Sequence, residues 1–138
     1  MANIVETVAN AGNFKMFLTL VEAADLLDIL TSPGPFAVFV PTDDAFAKIS
    51  AKTISDLMAN IPKLKKILLY HVVSGDVRSD DLIQIDEAAT VEGSIIAVDK
   101  SDGVKMNDAR VIQQDILAEN GVIHIIDTVL MPALVAAG

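Results

Sequence analysis

The sequence predicts an α+β domain, because helical patterns dominate its first half and short strand patterns its last third. Residues 36–40 form an unbroken apolar run between Pro35 and Pro41, which is typical of a strand covered on both faces. Helices and strands do not alternate along the chain, which disfavours a parallel α/β plan. The length of 138 residues and the 52% apolar content predict a single domain over residues 1–138.

Capping residues mark the helices that precede this strand. Asn3 and Glu6 have the spacing of a capping box, and Gly12 can end that first helix with a positive φ. Asn13 is expected to cap a second helix, and residues 26–30 are expected to form a short third one. The segment that leads into the buried strand is rich in proline and glycine, which predicts a loop.

The strand is followed directly by another helix start. Thr42 and the acidic pair Asp43-Asp44 offer side-chain oxygens to the free N–H groups of a helix over residues 44–49. Further helical segments are predicted over residues 53–58 and 62–69 and in a short turn that begins at Ser79.

Strand patterns and turn signals alternate in the rest of the chain. Strands are predicted over residues 70–73, 94–99, 110–113, 115–118 and 122–130. Asp102-Gly103 predicts a hairpin turn, since both central positions of a type I′ turn require a positive φ. Asn120-Gly121 marks another reversal, so the last strands are expected to pair.

Composition excludes several classes of function. The formal net charge of −9 disfavours binding to nucleic acid or to anionic lipid, and no apolar segment approaches the length of a membrane span. The chain contains no cysteine, which excludes disulfides and thiolate metal sites. The first residues lack a signal-peptide pattern, so we expect either a cytoplasmic chain or a mature fragment whose targeting segment has been removed.

Three segments resemble the signatures of the fasciclin (beta-Ig-H3/fasciclin) domain family. They are residues 39–46, the pair Tyr70-His71 and residues 120–127, and the resemblance extends over residues 2–134. It implies a β-wedge of two small sheets with a set of short helices packed alongside. It also implies that structural signature positions are occupied by Thr42, Asp43, His71, Gly121, His124 and Asp127.

The residues that most often carry chemistry do not form an enzyme pattern. No serine lies in a Gly-x-Ser-x-Gly elbow, and no phosphate-binding glycine loop is present. The residues that start at Asp99 do not match an EF-hand calcium loop, because the fifth position needs a side-chain oxygen and Gly103 has none. We therefore expect no catalytic residue, metal or cofactor. His71 is expected to be a buried imidazole bonded to a carboxylate or hydroxyl, and the resemblance points to Thr42 and Asp43 as its neighbours.

The resemblance implies a non-enzymatic adhesion or surface-interaction module with protein or glycan partners. In animal relatives, integrin contact has been attributed to an Asp-Ile motif and to residues around the Tyr-His pair. These correspond to Asp115 and Ile116, and to Tyr70 and His71. Gln113-Gln114 departs from the residues that commonly precede the motif in those relatives. The strand pattern alone predicts Ile116 as a core residue and Asp115 as a solvated edge charge.

An extracellular, periplasmic or cell-surface location agrees with the adhesion hypothesis. The alternative is a cytoplasmic small-molecule-binding or regulatory protein that has reused the fold, since a fold does not dictate a function. The absence of a signal-peptide pattern supports this second hypothesis.

Overall fold

The computed structural model describes residues 3–75, 77–100, 103–107 and 109–130 and confirms the α+β class. The helices are α1 (Ile4–Ala11), α2 (Lys15–Ala23), α3 (Leu27–Thr31), α4 (Asp43–Ala47), α5 (Ala51–Met58), α6 (Ile61–Leu69) and α7 (Ser79–Leu82). The strands are β1 (Phe36–Pro41), β2 (Val72–Ser74), β3 (Glu87–Ala89), β4 (Ile95–Asp99), β5 (Lys105–Met106), β6 (Ala109–Ala118) and β7 (Gly121–Ile126). The predicted turn at Asp102-Gly103 includes a residue outside the described ones.

The strands follow one continuous order, β2-β1-β7-β6-β5-β4-β3. The β1–β7 pair is parallel and the other pairs are antiparallel. The two small sheets implied by the resemblance are joined, because β6 pairs with β5 at its first residues and with β7 along the rest. The two edge strands also meet, since Val73 bridges Thr90 and the Val91 N–H donates to the Val72 carbonyl at 2.8 Å. The sheet therefore curls around its own interior.

Strand β1 is buried on both faces, as its apolar run predicts. Ala37 and Phe39 belong to the core inside the curled sheet, whereas Val38 and Val40 pack into the core beneath the helices. Removing a large apolar side chain such as Phe39 from water stabilises the fold by about 1.5–3 kcal/mol. Because β1 contributes to both cores, it holds the helical layer and the sheet together.

The helix caps agree with the sequence at α1 and differ at α2. The Asn3–Glu6 capping box and the left-handed Gly12 are confirmed, with a φ of 84° at Gly12. The prediction that Asn13 caps α2 is wrong. The carboxylate of Asp43 does so from the far side of the loop, because its Oδ1 accepts the Met16 N–H at 2.9 Å. Thus Asp43 caps a helix distant in sequence rather than its own.

Thr42 supplies the local cap of α4, since its Oγ1 accepts the Ala45 N–H at 3.1 Å. Helix α4 ends at Ala47, two residues before the predicted end. Helix α5 begins before residue 53, because Ser50 accepts the Thr53 N–H at 3.1 Å and starts the turn earlier. These differences are small, and every predicted helix is present.

Some strand predictions are corrected. Residues 70–73 are not one strand, since Tyr70 ends α6 and β2 begins at Val72. The segments 110–113 and 115–118 belong to the single strand β6, whose register shifts on either side of Gln113. Strands β3 and β5 have no counterpart among the predicted strands, and β7 ends at Ile126 rather than at residue 130. Among the described residues, no helix has the length and apolar character that crossing a bilayer requires.

Candidate functional site

Asp115 lies at an irregularity of β6 and holds a neighbouring helix. Its φ of 61° is unusual for a residue other than glycine and belongs to the register shift between Gln113 and Ile116. The carboxylate accepts the Ser79 N–H at 2.8 Å and also the Ser79 hydroxyl. These two bonds lower the pKa of Asp115 below its usual value. Asp115 is therefore solvent-exposed but engaged at the N-terminal end of α7.

His124 supports the same segment from β7. Its Nε2 lies 2.7 Å from the Val77 carbonyl, and its Nδ1 lies 3.4 Å from the Asp115 backbone nitrogen. Since a carbonyl only accepts, Nε2 carries a proton; since the Asp115 N–H only donates, Nδ1 carries none, and the ring is neutral. Burial lowers the pKa of His124, and the ring stacks on Phe39 with centroids 5.2 Å apart. Together, His124 and Asp115 fix residues 77–79 against the β6–β7 hairpin.

Ser79, Asp115 and His124 are the residue types of a hydrolase triad, but their geometry is different. The Ser79 hydroxyl donates directly to the Asp115 carboxylate, and the His124 ring bonds backbone groups instead of the serine. A nucleophilic serine needs the imidazole as its proton acceptor. This arrangement therefore anchors a loop and offers no activated nucleophile. Among the described residues, no group of three or more metal-ligating side chains could hold an ion.

His71 is 0% exposed and bonds backbone groups on both sides. Its Nδ1 lies 2.8 Å from the Ile67 carbonyl, and its Nε2 accepts the Leu130 N–H at 2.9 Å. The expectation of a carboxylate or hydroxyl partner is wrong, because these backbone groups occupy both ring nitrogens. Thr42 and Asp43 instead accept the backbone N–H groups of Ala45 and Met16. Burial lowers the pKa of His71 to about 4, so the ring is neutral at pH 7.

Tyr70 is also buried, with 4% of its surface exposed. Its hydroxyl donates to the Ile95 carbonyl at 3.0 Å and accepts from the Asn107 side-chain amide at 2.8 Å. These bonds connect the end of α6 to β4 and to the turn that follows β5. A partner that approaches this surface would contact neither the Tyr70 ring nor the His71 ring.

The other signature positions join distant parts of the chain. A Cβ at Gly121 would lie 2.0 Å from the Phe36 carbonyl oxygen, so only glycine allows β1 and β7 to start side by side. The carboxylate of Asp127 accepts the Arg110 N–H at 2.9 Å and closes the end of the β6–β7 hairpin. Gly121 and Asp127 thus fix the two ends of β7.

Asn120 has a structural role that its sequence context did not reveal. Its side-chain oxygen accepts the Ile4 N–H at 2.9 Å, and its amide donates to the Leu30 and Ser32 carbonyls at 2.7 and 2.9 Å. One buried side chain therefore connects the β6–β7 turn to α1, α3 and the following loop. An Asn-Gly pair indicates only a turn, and no local signal identifies these distant partners.

The exposed part of β6 includes Asp115 and the residues on either side of it. We define the β6 strip as Ile112, Gln113, Gln114, Asp115 and Leu117, all of which are exposed. Ile112 is 53% and Leu117 45% exposed, which is high for large apolar side chains. Ile116 is half-buried and packs against the helix-side core. No described strand pairs with residues 112–118 on the side away from β7.

A groove of about 550 Å³ lies at the end of this strip. Its lining comes from the start of α1, the loop before β1, the segment before α7 and the β6–β7 turn. The residues concerned are Asn3, Thr31, Pro33, Gly34, Pro35, Arg78, Leu117, Ala118, Glu119, Asn120 and Gly121. Both charged and apolar side chains therefore line the groove.

Comparisons with known proteins agree with this architecture. The family model described as the Fasciclin domain matches residues 12–132. Uncharacterized protein sll1735 of Synechocystis sp. is 49% identical, and the match covers 95% of this chain and 98% of that protein. Human periostin is 36% identical over 87% of this chain, which corresponds to 15% of periostin.

A solved structure shows the same fold. It is a FAS1 domain pair from the insect cell adhesion molecule Fasciclin I, with a TM-score of 0.68 and 25% sequence identity. The match covers 88% of this chain and 46% of that one. The chain thus corresponds to one part of a longer protein in the animal relatives and to nearly all of the cyanobacterial one.

Proposed function

The chain belongs to the fasciclin domain family, and we propose that it is a non-enzymatic interaction module that binds protein or glycan partners at a cell surface or outside the cell. The solved structure that it resembles comes from a cell adhesion molecule, which supports adhesion. The signature residues His71, His124, Asp43 and Asp127 are engaged in structural hydrogen bonds, which supports a role without catalysis.

The β6 strip is the observation that carries this proposal. Two exposed apolar side chains, Ile112 and Leu117, flank amide and carboxylate groups on the part of β6, residues 112–118, whose side away from β7 has no described strand partner. Exposed strand edges of this kind accept an added strand or a flat partner surface. The strip is also rigid, because Asp115 and His124 tie it to α7 and β7. A rigid surface loses little conformational entropy on binding.

The proposed contact surface includes Asp115 and leaves out Ile116, which packs against the helix-side core, and the buried Tyr70 and His71. The Asp115 carboxylate is fixed by Ser79, so it contributes mainly by holding the strip in shape. The formal charge of −9 favours partners that are basic or bridged by cations.

Binding of the purified chain to its own source cells and extracellular material tests the proposal. The wild type should bind saturably, and Ile112→Asp and Leu117→Asp should each weaken binding by at least about tenfold, because a desolvated apolar anchor contributes about 1–2 kcal/mol or more. Ile95→Asp is the matched control, since Ile95 is 55% exposed on β4 and lies outside the strip. Equal binding by the strip variants and wild type, or no saturable binding at all, would contradict the proposal.

The groove favours a second candidate function, a cytoplasmic small-molecule-binding or regulatory protein. Its volume of about 550 Å³ falls within the range of ligand sites, about 300–1,000 Å³. Fractionation of the source cells separates the two candidates, since the first predicts the chain at the surface or in the medium and the second predicts it in the cytosol. A metabolite screen that shifts the amide resonances of Thr31 and Glu119 would support the second.

A further inference from the structure

We propose that His71 is a pH-sensitive latch for residues 128–130, here called the exit segment, and that protonation of its ring releases this segment while the rest of the fold persists. The exit segment follows β7 and is the last part of the chain that the structure describes. Val129 packs into the helix-side core and Leu130 into the core inside the sheet. The release would expose both side chains and free the backbone of residues 128–130.

The hydrogen-bond geometry requires a neutral ring in the closed state. The Leu130 N–H can only donate, so Nε2 of His71 must offer its lone pair across the 2.9 Å contact. The Ile67 carbonyl can only accept, so the single ring proton must be on Nδ1. If the ring gained a second proton, on Nε2, that N–H would face the Leu130 N–H, and both groups would be donors. The bond to Leu130 must then break, whereas the bond to Ile67 can remain.

The surroundings of the ring offer no compensation for a positive charge. The small cavity beside His71 is lined by apolar side chains from α2, α4, α5, α6 and the exit segment, and within the described residues no other titratable group lines it. The charged residues of these elements and of the turns that adjoin them are exposed or half-buried: Lys15, Glu22, Asp43, Asp44, Lys48, Lys52, Asp56, Lys63, Lys65, Lys66 and Asp127.

Strands β1 and β2 contain no charged residue, and the His124 ring is stacked on Phe39 of β1. Tyr70, which shares the core inside the sheet with Leu130, has its hydroxyl bonded to Ile95 and Asn107. The Phe39 N–H donates to the His71 carbonyl at 2.8 Å, so the backbone on which His71 sits is itself anchored to the sheet. Protonation therefore acts on a ring whose own backbone is anchored to the sheet.

The hinge of the release falls at Thr128, because Asp127 is held independently of His71. The Asp127 carboxylate accepts the Arg110 N–H at 2.9 Å, its N–H donates to the Arg110 carbonyl at 3.1 Å, and its carbonyl accepts from the Lys48 ammonium at 2.7 Å. These bonds keep the end of β7 in place when the Leu130 contact is lost. The opening is then local rather than global.

The expected effect of pH on opening follows from the pKa of His71 in the closed state and in the released state. Burial holds the pKa of His71 at about 4, against the usual 6.5. If release returns the ring to water, lowering the pH from 7 to 5 raises the opening equilibrium about 20-fold, since the open state binds the proton more tightly. Because the pKa of His71 is depressed in the closed state, closure is favoured at neutral pH and weakened as the pH falls.

Amide hydrogen exchange of the wild-type chain, followed by NMR at pH 7, 6 and 5, tests the latch. The protection factor of the Leu130 amide should fall about 20-fold between pH 7 and pH 5, and amides of the β1–β7 ladder should keep theirs. The ¹⁵N shifts of the His71 ring should report a protonated Nδ1 and an unprotonated Nε2 at pH 7. Unchanged protection at Leu130, or an equal loss across the ladder, would overturn the proposal.

His71→Gln is the matched variant, because a glutamine amide can donate and accept without titrating in this range. Its Leu130 protection should stay constant between pH 7 and pH 5, and a fall as large as that of the wild type would overturn the proposal. If the variant does not fold, the wild-type exchange and ring shifts decide the question alone.

Discussion

Asn120→Asp is a nearly isosteric change that tests whether Asn120 connects the helical layer to β7. The carboxylate can still accept the Ile4 N–H, but it cannot donate to the Leu30 and Ser32 carbonyls that lie 2.7 and 2.9 Å from the amide nitrogen. Two hydrogen bonds of about 1 kcal/mol each are lost, and a buried anion then faces two carbonyl oxygens. We expect the free energy of unfolding to fall by about 3 kcal/mol.

Urea unfolding followed by circular dichroism at pH 7 measures this change, and thermal unfolding should show a melting temperature lower by roughly 10 °C for a domain of this size. Asn10→Asp is the matched control, since it makes the same chemical change at an exposed position of α1. That control should cost less than about 1 kcal/mol, from the unfavourable charge near a helix C-terminus. A loss at Asn120 no larger than that at Asn10 would refute the structural role of the buried amide.

Three further substitutions test other parts of the account. Asp43→Ala removes the cap of α2 and should lower the free energy of unfolding by about 1 kcal/mol in urea titrations. Asp115→Asn weakens the anchoring of Ser79 and should destabilise the chain at pH 7; because the pKa of Asp115 is depressed in the folded state, this difference should fade as the pH falls below about 4. Gly121→Ala places a Cβ 2.0 Å from the Phe36 carbonyl oxygen and should cost more than about 3 kcal/mol or prevent folding, as measured by thermal unfolding.

Each of these changes has a discriminating outcome. Asp44→Ala is the control for Asp43, since Asp44 lies beside it on α4, and equal losses at both positions would argue against the cap on α2. A constant difference between wild type and Asp115→Asn down to pH 2 would show that the charge of Asp115 does not stabilise the fold. A Gly121→Ala variant as stable as the wild type would show that β1 and β7 can separate without penalty.

The elements that the sequence predicts correctly depend on local interactions. The capping box of α1 involves residues only three apart, and the apolar run of β1 predicts burial on both faces without knowledge of its neighbours. Thr42 likewise caps the helix that begins next to it. Patterns within one turn or one strand are therefore sufficient for the fold class and most of the helices.

The parts that could not be predicted depend on groups far apart in the chain. Asp43 caps α2 from 27 positions away, and Asn120 bonds residues 88 to 116 positions away. His71 pairs with a backbone N–H 59 positions later rather than with a side chain. Such partners exist only after the sheet has closed, so neither spacing nor composition signals them.

The most direct test of the central claim compares Asp115→Asn and Ile112→Asp for both stability and binding to source cells. The account predicts that Asp115→Asn lowers the free energy of unfolding, because it weakens the anchor at Ser79, and that Ile112→Asp lowers binding by at least about tenfold at unchanged stability. The contradicting result is Ile112→Asp binding like the wild type while Asp115→Asn loses binding at full stability. In that case the partner would contact the Asp115 carboxylate itself and not the apolar side chains of the β6 strip.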